Sequence, residues 1–262
     1  MTDHTRALLA EIAGTFLFFV IGAGSIVSAN IALAPGTGLL PIALAHGLAL
    51  AIAVSSFGAI SGGHFNPAVT FALAIAKKHP WPRVLTYWAA QLIGAVLAGL
   101  VLRLVFSPYL AAANATHLGT PTVAPQVGAG LAILIEAVLT LFLVWTVFGT
   151  AVSPDAPKIA GFGIGLIVTA DILIGGPLTG AAMNPARHFG PAVVSGYLND
   201  LAVYWIGPLL GAAVGGLSYR YVFGSPAERD PIVLPEVRIG TPAPPRSDPP
   251  PSAPSDRTER LG

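Results

Sequence analysis

Two short stretches hold most of the polar chemistry this chain places inside its apolar segments. The first reads Ser61-Gly62-Gly63-His64-Phe65-Asn66-Pro67-Ala68, with Phe71 five residues after the asparagine. The second reads Thr179-Gly180-Ala181-Ala182-Met183-Asn184-Pro185-Ala186, with Phe189 five after its asparagine. Asn is a strong N-cap and Pro is favoured at the first helical position, so a helix should begin at each Asn-Pro. An asparagine whose carbonyl oxygen accepts from its own helix keeps its NH2 as a fixed outward donor. Two such donors facing each other make a small polar constriction, and each helix N-terminus adds about half a positive charge to it. Arg187 follows the second motif directly and belongs in the first turn of that helix, where its guanidinium offers planar donors and a charge that repels cations. Glu11 and Glu136 each lie in the first apolar segment of the half that contains one motif.

The elements that must hold these groups are membrane helices. Charged residues make up 10% of the 262 residues, against roughly 25% in a soluble domain. None lies between Glu11 and Lys77, and eleven are crowded into the last 39 positions. That pattern excludes a soluble enzyme or a nucleic-acid-binding module. The absence of cysteine excludes disulfides, zinc–thiolate sites and thiol nucleophiles, and a net charge of +1 gives no polyanion-binding signal. A span needs about 20 mostly apolar residues, and six fit, at roughly 7–30, 39–60, 82–106, 127–149, 158–176 and 201–223. Two apolar pieces near 66–77 and 184–195 are too short to cross, and read as re-entrant half-helices or interfacial segments. Each follows the second span of a three-span half, so the second half enters the membrane from the opposite side, which makes an inverted repeat. With the N-terminus inside, eleven of the thirteen Lys and Arg residues fall on the cytoplasmic side, leaving Arg103 and Arg187 elsewhere. Glu11 inside the first span argues against a cleaved signal. Residues 224–262 carry ten prolines and eleven charges, and are expected to form a disordered cytoplasmic tail.

Over essentially residues 5–223 the sequence resembles the aquaporin (major intrinsic protein) family. The resemblance rests on Asn66-Pro67-Ala68 and Asn184-Pro185-Ala186-Arg187 together with Glu11 and Glu136. It implies an all-α membrane protein of six transmembrane helices plus two re-entrant half-helices in an inverted 3+3 repeat. The channel domain would be 1–223, with halves about 7–106 and 127–223, assembled as a homotetramer. Asn66, Pro67, Ala68, Asn184, Pro185 and Ala186 would form the pore constriction, and Glu11 and Glu136 would be buried acceptors bracing the re-entrant loops. The family's narrow filter maps by spacing onto His46, Ile172, Ala181 and Arg187. Strict water channels resemble Phe, His, Cys and Arg at these sites, and glycerol facilitators Trp, Gly, an aromatic and Arg. This chain matches neither, and is similar to some plant vacuolar-type channels associated with water, ammonia and hydrogen peroxide. Ala192 and Tyr204-Trp205 match the water-channel pattern, whereas His188 departs from both branches. His64 occupies a position that often lines the inner pore, and His117, in the external segment 107–126, lies within reach of the pore mouth. Asp171 should face away from the solute path, with Arg103 or Arg187 as partners to be tested.

The resulting expectation is a passive channel for water and other small uncharged solutes such as ammonia and hydrogen peroxide, excluding protons and ions. It would be no enzyme and would need no cofactor or metal; its partners would be those solutes and the lipid bilayer, with no nucleic acid. A glycerol or urea facilitator is the nearest alternative, and a secondary transporter with broken helices a more distant one. Lack of a targeting signal places it in a plasma or bacterial inner membrane. Because Ala181 stands where mercury-sensitive relatives carry Cys, mercurials should not block the purified protein through thiol attack; rapid, thiol-reversible inhibition in a flux assay would contradict this.

Overall fold

The structure, a computed structural model, describes residues 1–32, 38–157, 159 and 161–224. Lys158 and the expected tail beyond Gly224 lie outside the described residues. Two sets of four helices repeat in order. The first is α1 (Asp3–Ala32), α2 (Leu40–Ser61), the half-helix α3 (Pro67–Ile75) and α4 (Trp81–Val105). After a short helix α5 (Leu110–Ala115), the second is α6 (Ala129–Val147), α7 (Phe162–Thr179), the half-helix α8 (Pro185–Ser195) and α9 (Leu201–Ser218). Wider turns prolong α6 to Val152 and α9 to Phe223. Six helices are long and apolar enough to cross a membrane, as expected. The fifth starts at Phe162 rather than near 158 and runs to Thr179, because Gly180 leaves the helix in a left-handed conformation (φ 78°).

Side chains sort these helices by face. Leu44, Leu48, Ile52, Leu100, Leu134, Leu166, Leu210 and Val214 are exposed, whereas alanines and glycines fill the interior. In lipid there is little hydrophobic drive between helices, so close van der Waals approach must hold them together. The α6–α9 contact shows how close this is: a Cβ on Gly211 would stand 2.1 Å from the Ala137 carbonyl oxygen, and one on Gly207 2.8 Å from that of Ile133. Gly47 and Gly165 do the same for α2 and α7, each Cβ meeting the other's carbonyl oxygen within 2.4 Å.

The half-helices are exchanged between the two halves. α3 packs on α9 of the second half as well as on its own α4, and α8 packs chiefly on α4 of the first half. Ala68 and Ala186 have no exposed surface, so both pieces are re-entrant rather than interfacial. The far end of each half-helix is also held crosswise. Arg220 Nη1 donates to the Ile75 carbonyl at the end of α3 (3.2 Å), and Arg103 Nη1 to the Val194 carbonyl near the end of α8 (3.1 Å). Cations at these ends complement the negative pole of each helix dipole.

Gly211→Ala is expected to lower stability by roughly 1–3 kcal/mol through overpacking against the Ala137 backbone. A thermal or denaturant midpoint of the purified protein in detergent, unchanged from wild type, would show that this contact yields easily.

Candidate functional site

Each half-helix begins as its asparagine dictates. Asn66 and Asn184 are extended (φ −156° and −157°), and their side-chain oxygens accept from their own helices. Asn66 Oδ1 takes the Ala68 N–H (2.8 Å), and Asn184 Oδ1 takes those of Ala186 (3.0 Å) and Arg187 (3.4 Å). The amide nitrogens then cross the junction. Asn66 Nδ2 donates to the Met183 carbonyl (2.9 Å), and Asn184 Nδ2 to the Phe65 carbonyl (3.0 Å). One hydrogen of each NH2 is therefore spent on the opposite loop, and one remains.

The loops can offer those carbonyls because their backbones are bent. Gly62 and Gly63 (φ 93° and 66°) and Phe65 (φ 48°) match Gly180, Ala181 and Met183 (φ 78°, 46° and 51°) position for position. A non-glycine residue in this region costs roughly 1–2 kcal/mol. Two buried carboxylates hold the bends. Glu11 accepts from Ser61 Oγ (2.6 Å), the N–H groups of His64 (3.0 Å) and Phe65 (2.7 Å), and Gln91 Nε2 (2.8 Å). Glu136 accepts from Thr179 Oγ1 (2.7 Å) and the N–H groups of Ala182 (2.9 Å) and Met183 (2.7 Å). A tyrosine from the third span of each half completes the brace: Tyr87 Oη donates to the Ser61 carbonyl (2.8 Å) and Tyr204 Oη to that of Thr179 (2.7 Å).

The two asparagines and the bent loops, though not the glutamates and tyrosines that brace them, border a cavity of about 250 Å3. His46, Ile172, Ala181 and Arg187 line it together with His64, Asn66 and Asn184; the remaining wall is mostly apolar, including Leu50, Val54, Leu143, Val147, Ile164 and Val168, with Lys78 at one end. Pro67, Ala68, Pro185 and Ala186 do not line it. They form the first turns of the half-helices, buried behind the asparagines, because the proline ring and the alanine N–H serve the helix start. His117 also departs from expectation. Its ring stacks on Tyr197 (3.8 Å between centroids, 12° between planes) and is not part of the cavity wall. Asp171 is buried away from the cavity, and its Oδ2 has no partner among the described residues, so neither Arg103 nor Arg187 pairs with it.

Arg187 instead meets His46. His46 Nδ1 lies 2.8 Å from the Ile42 carbonyl, which can only accept, so Nδ1 bears the proton. Nε2 is then a lone pair, and it accepts from Arg187 Nε (3.2 Å). Both ring nitrogens are occupied, and the imidazole offers no donor to the cavity. Arg187 Nη1 is buried without a partner among the described residues. Farther along, His64 Nδ1 lies 3.1 Å from Thr70 Oγ1. In the turn between α3 and α4, His79 packs edge-on against the His64 and Tyr87 rings (4.9 and 4.5 Å). Burial, reinforced by nearby His64 and Arg83, pushes His79 down to about 3, so it is neutral at ordinary pH.

The inverted pair of halves and the largely apolar cavity, bordered by two amides and a guanidinium, define a membrane pore for small uncharged solutes. The model of the major intrinsic protein family matches residues 1–219. "Probable aquaporin TIP-type alpha" of Phaseolus vulgaris is 44% identical over 227 residues, covering 84% of this chain and 86% of its own length. "Aquaporin TIP1-2" of Zea mays is 43% identical over 228 residues, covering 84% and 87%. The crystal structure of the aquaglyceroporin from Plasmodium falciparum superposes with a TM-score of 0.76 at 22% identity, covering 86% of this chain and 99% of that one, which shows the shared fold. The chain belongs to the major intrinsic protein, or aquaporin, family, and acts as a passive, water-type channel for small solutes rather than as an enzyme. The relatives also correct the expected location. They are of the TIP, or vacuolar, type, so the plasma or bacterial inner membrane assignment is withdrawn, and a multi-pass membrane protein is what stands.

Glu136→Gln is expected to cost about 1–3 kcal/mol, because it sets an NH2 group against the Ala182 and Met183 donors. A thermal midpoint equal to wild type would mean that the loop does not need the carboxylate.

Proposed function

We propose that this channel conducts water and ammonia, with hydrogen peroxide as further cargo, and excludes protons and ions. The observation that carries the reading is the tie between Arg187 and His46 opposite two apolar side chains. Arg187 Nε is used by His46, which leaves the other guanidinium nitrogens as the donors of a filter completed by Ile172 and Ala181. Such a wall gives a small neutral solute polar contact on one side and little obligatory hydrogen bonding on the other. Cations face the Arg187 charge and the positive ends of α3 and α8. A water at the junction meets the remaining hydrogens of Asn66 and Asn184, which orient it and interrupt a proton-conducting chain.

The same proposal includes a homotetramer with both termini cytoplasmic. In such an assembly each chain would carry its own pore, since the two asparagines and the arginine that border the cavity all come from the two halves of a single chain.

The test is stopped-flow osmotic shrinkage of liposomes containing the purified protein, with wild type, Arg187→Val and His46→Phe/Ile172→His. Wild type should shrink fast with weak temperature dependence. Arg187→Val should raise ion or proton leak, and the double variant should keep water flux while losing most ammonia flux. Unchanged ammonia flux in a water-conducting double variant would sink the filter assignment. Shrinkage of wild type no faster than empty liposomes, or saturable gradient-driven uptake, would sink the water-channel reading.

A further inference from the structure

His188 fits neither branch of the family by sequence, yet it occupies a fully buried place directly after Arg187. Its Nε2 lies 3.1 Å from the Asn199 carbonyl, which fixes the proton on that nitrogen. Its Nδ1 is buried and has no partner among the described residues. A side chain that accepts an orphaned nitrogen in return for its position must gain elsewhere, and the gain is a ring contact. The imidazole lies on the Tyr204 ring, with centroids 4.3 Å apart and planes 18° from parallel. Tyr204 is fully buried, clustered with Ala182, and donates its hydroxyl hydrogen to the Thr179 carbonyl (2.7 Å). Thr179 in turn accepts the Ala181 N–H on its hydroxyl (3.2 Å) and donates that hydroxyl to Glu136 (2.7 Å). Ala181, a left-handed residue, lines the same cavity as Arg187.

We propose that His188 is a positioning residue for solute selection, fixing Ala181 through the Tyr204 ring and the Thr179 carbonyl. The external turn at Asn199, the half-helix that bears Arg187 and the loop that bears Ala181 are thereby joined, and the gap between Ala181 and Arg187 has a set width. Without the stacked imidazole, the Tyr204 ring has room to tilt, its hydroxyl leaves the Thr179 carbonyl, and the Ala181 wall moves. The first half has a parallel device, since Tyr87 donates to the Ser61 carbonyl and carries the His64 and His79 rings. There the imidazoles come from the loop and the following turn rather than from a half-helix.

The functional part of the inference rests on the channel reading, so the experiment has one arm that does not require conduction. Hydrogen–deuterium exchange over Ala181–Met183 and the urea-to-water permeability ratio are measured in proteoliposomes for wild type, His188→Ala, His188→Phe and Tyr204→Phe. His188→Ala and Tyr204→Phe should each speed exchange of these amides at least tenfold and raise the ratio at least threefold. His188→Phe keeps a ring against Tyr204 and should restore both to within twofold of wild type. Wild-type exchange in either His188→Ala or Tyr204→Phe overturns the proposal. So does a His188→Phe protein that behaves like His188→Ala. If His188→Ala fails to fold, Tyr204→Phe and His188→Phe decide by the same criteria. If wild type passes no water, the channel reading fails while the exchange data still decide the positioning.

Discussion

A backbone that leaves its helix inside a membrane has no water to satisfy its N–H and C=O groups, and each one left unpaired costs several kcal/mol. Both re-entrant loops here face that constraint, and Glu11 and Glu136 meet it. A carboxylate is suited to this because it accepts at two oxygens and donates nothing. It gathers the two N–H groups that a pair of left-handed bends turns inward, together with a hydroxyl that also serves the next amide. With the bends secured, Phe65 and Met183 present their carbonyls across the junction, and the asparagines can dock on them. The placement of the half-helices, the polar ring at the cavity and the direction of the dipoles all follow from those two side chains.

The halves are similar without being equal. Glu11 has a fourth donor in Gln91, which also donates to Thr70 and so draws the His64 ring into the same network. Glu136 has no amide of this kind, and Thr140 instead returns its hydroxyl to the helix backbone. The first loop is thereby tied to the interior of its own half, whereas the second gains rigidity through Tyr204, His188 and the external turn. The more apolar brace lies in the half that carries Arg187.

Much of this was legible in the residues. Six spans, two short pieces and the two Asn-Pro starts follow from hydropathy and capping preferences, and they reappear as α1 to α4 and α6 to α9 with shifts of a few residues at the ends; the short α5 was not foreseen. The paired glutamates stand out because nothing else in their spans is charged. Other features were hidden for physical reasons. Tyr87 and Tyr204 look like ordinary apolar content in a membrane helix, and only the distance to a loop carbonyl reveals the hydroxyl's role. Arg220 read as one of the cytoplasmic charges and Arg103 as a partner for Asp171, yet each closes the far end of the opposite half's half-helix. That the two recur some 36 or 37 residues after the asparagines was the available clue, read from the sequence itself. His117 misled because proximity along the chain says nothing about the ring against which a loop side chain settles. The prolines and alanines of the motifs were assigned to the constriction with their asparagines. In the structure they are buried in the first turns of the half-helices, and of Asn66 to Ala68 and Asn184 to Arg187 only Asn66, Asn184 and Arg187 reach the cavity.

The two contacts that close the junction join residues 117 and 119 positions apart. During synthesis, the first half is complete long before its partner carbonyl exists. Until Met183 and Asn184 have been made and the second half has inserted, Asn66 has nothing opposite it, and the Phe65 carbonyl has no donor. A nascent chain that stops before Met183 therefore holds the first half, with its three spans and loop, without the contacts that close the junction. Joining of the last loop to the first therefore brings the cavity and the two asparagine contacts beside it into being in the same event.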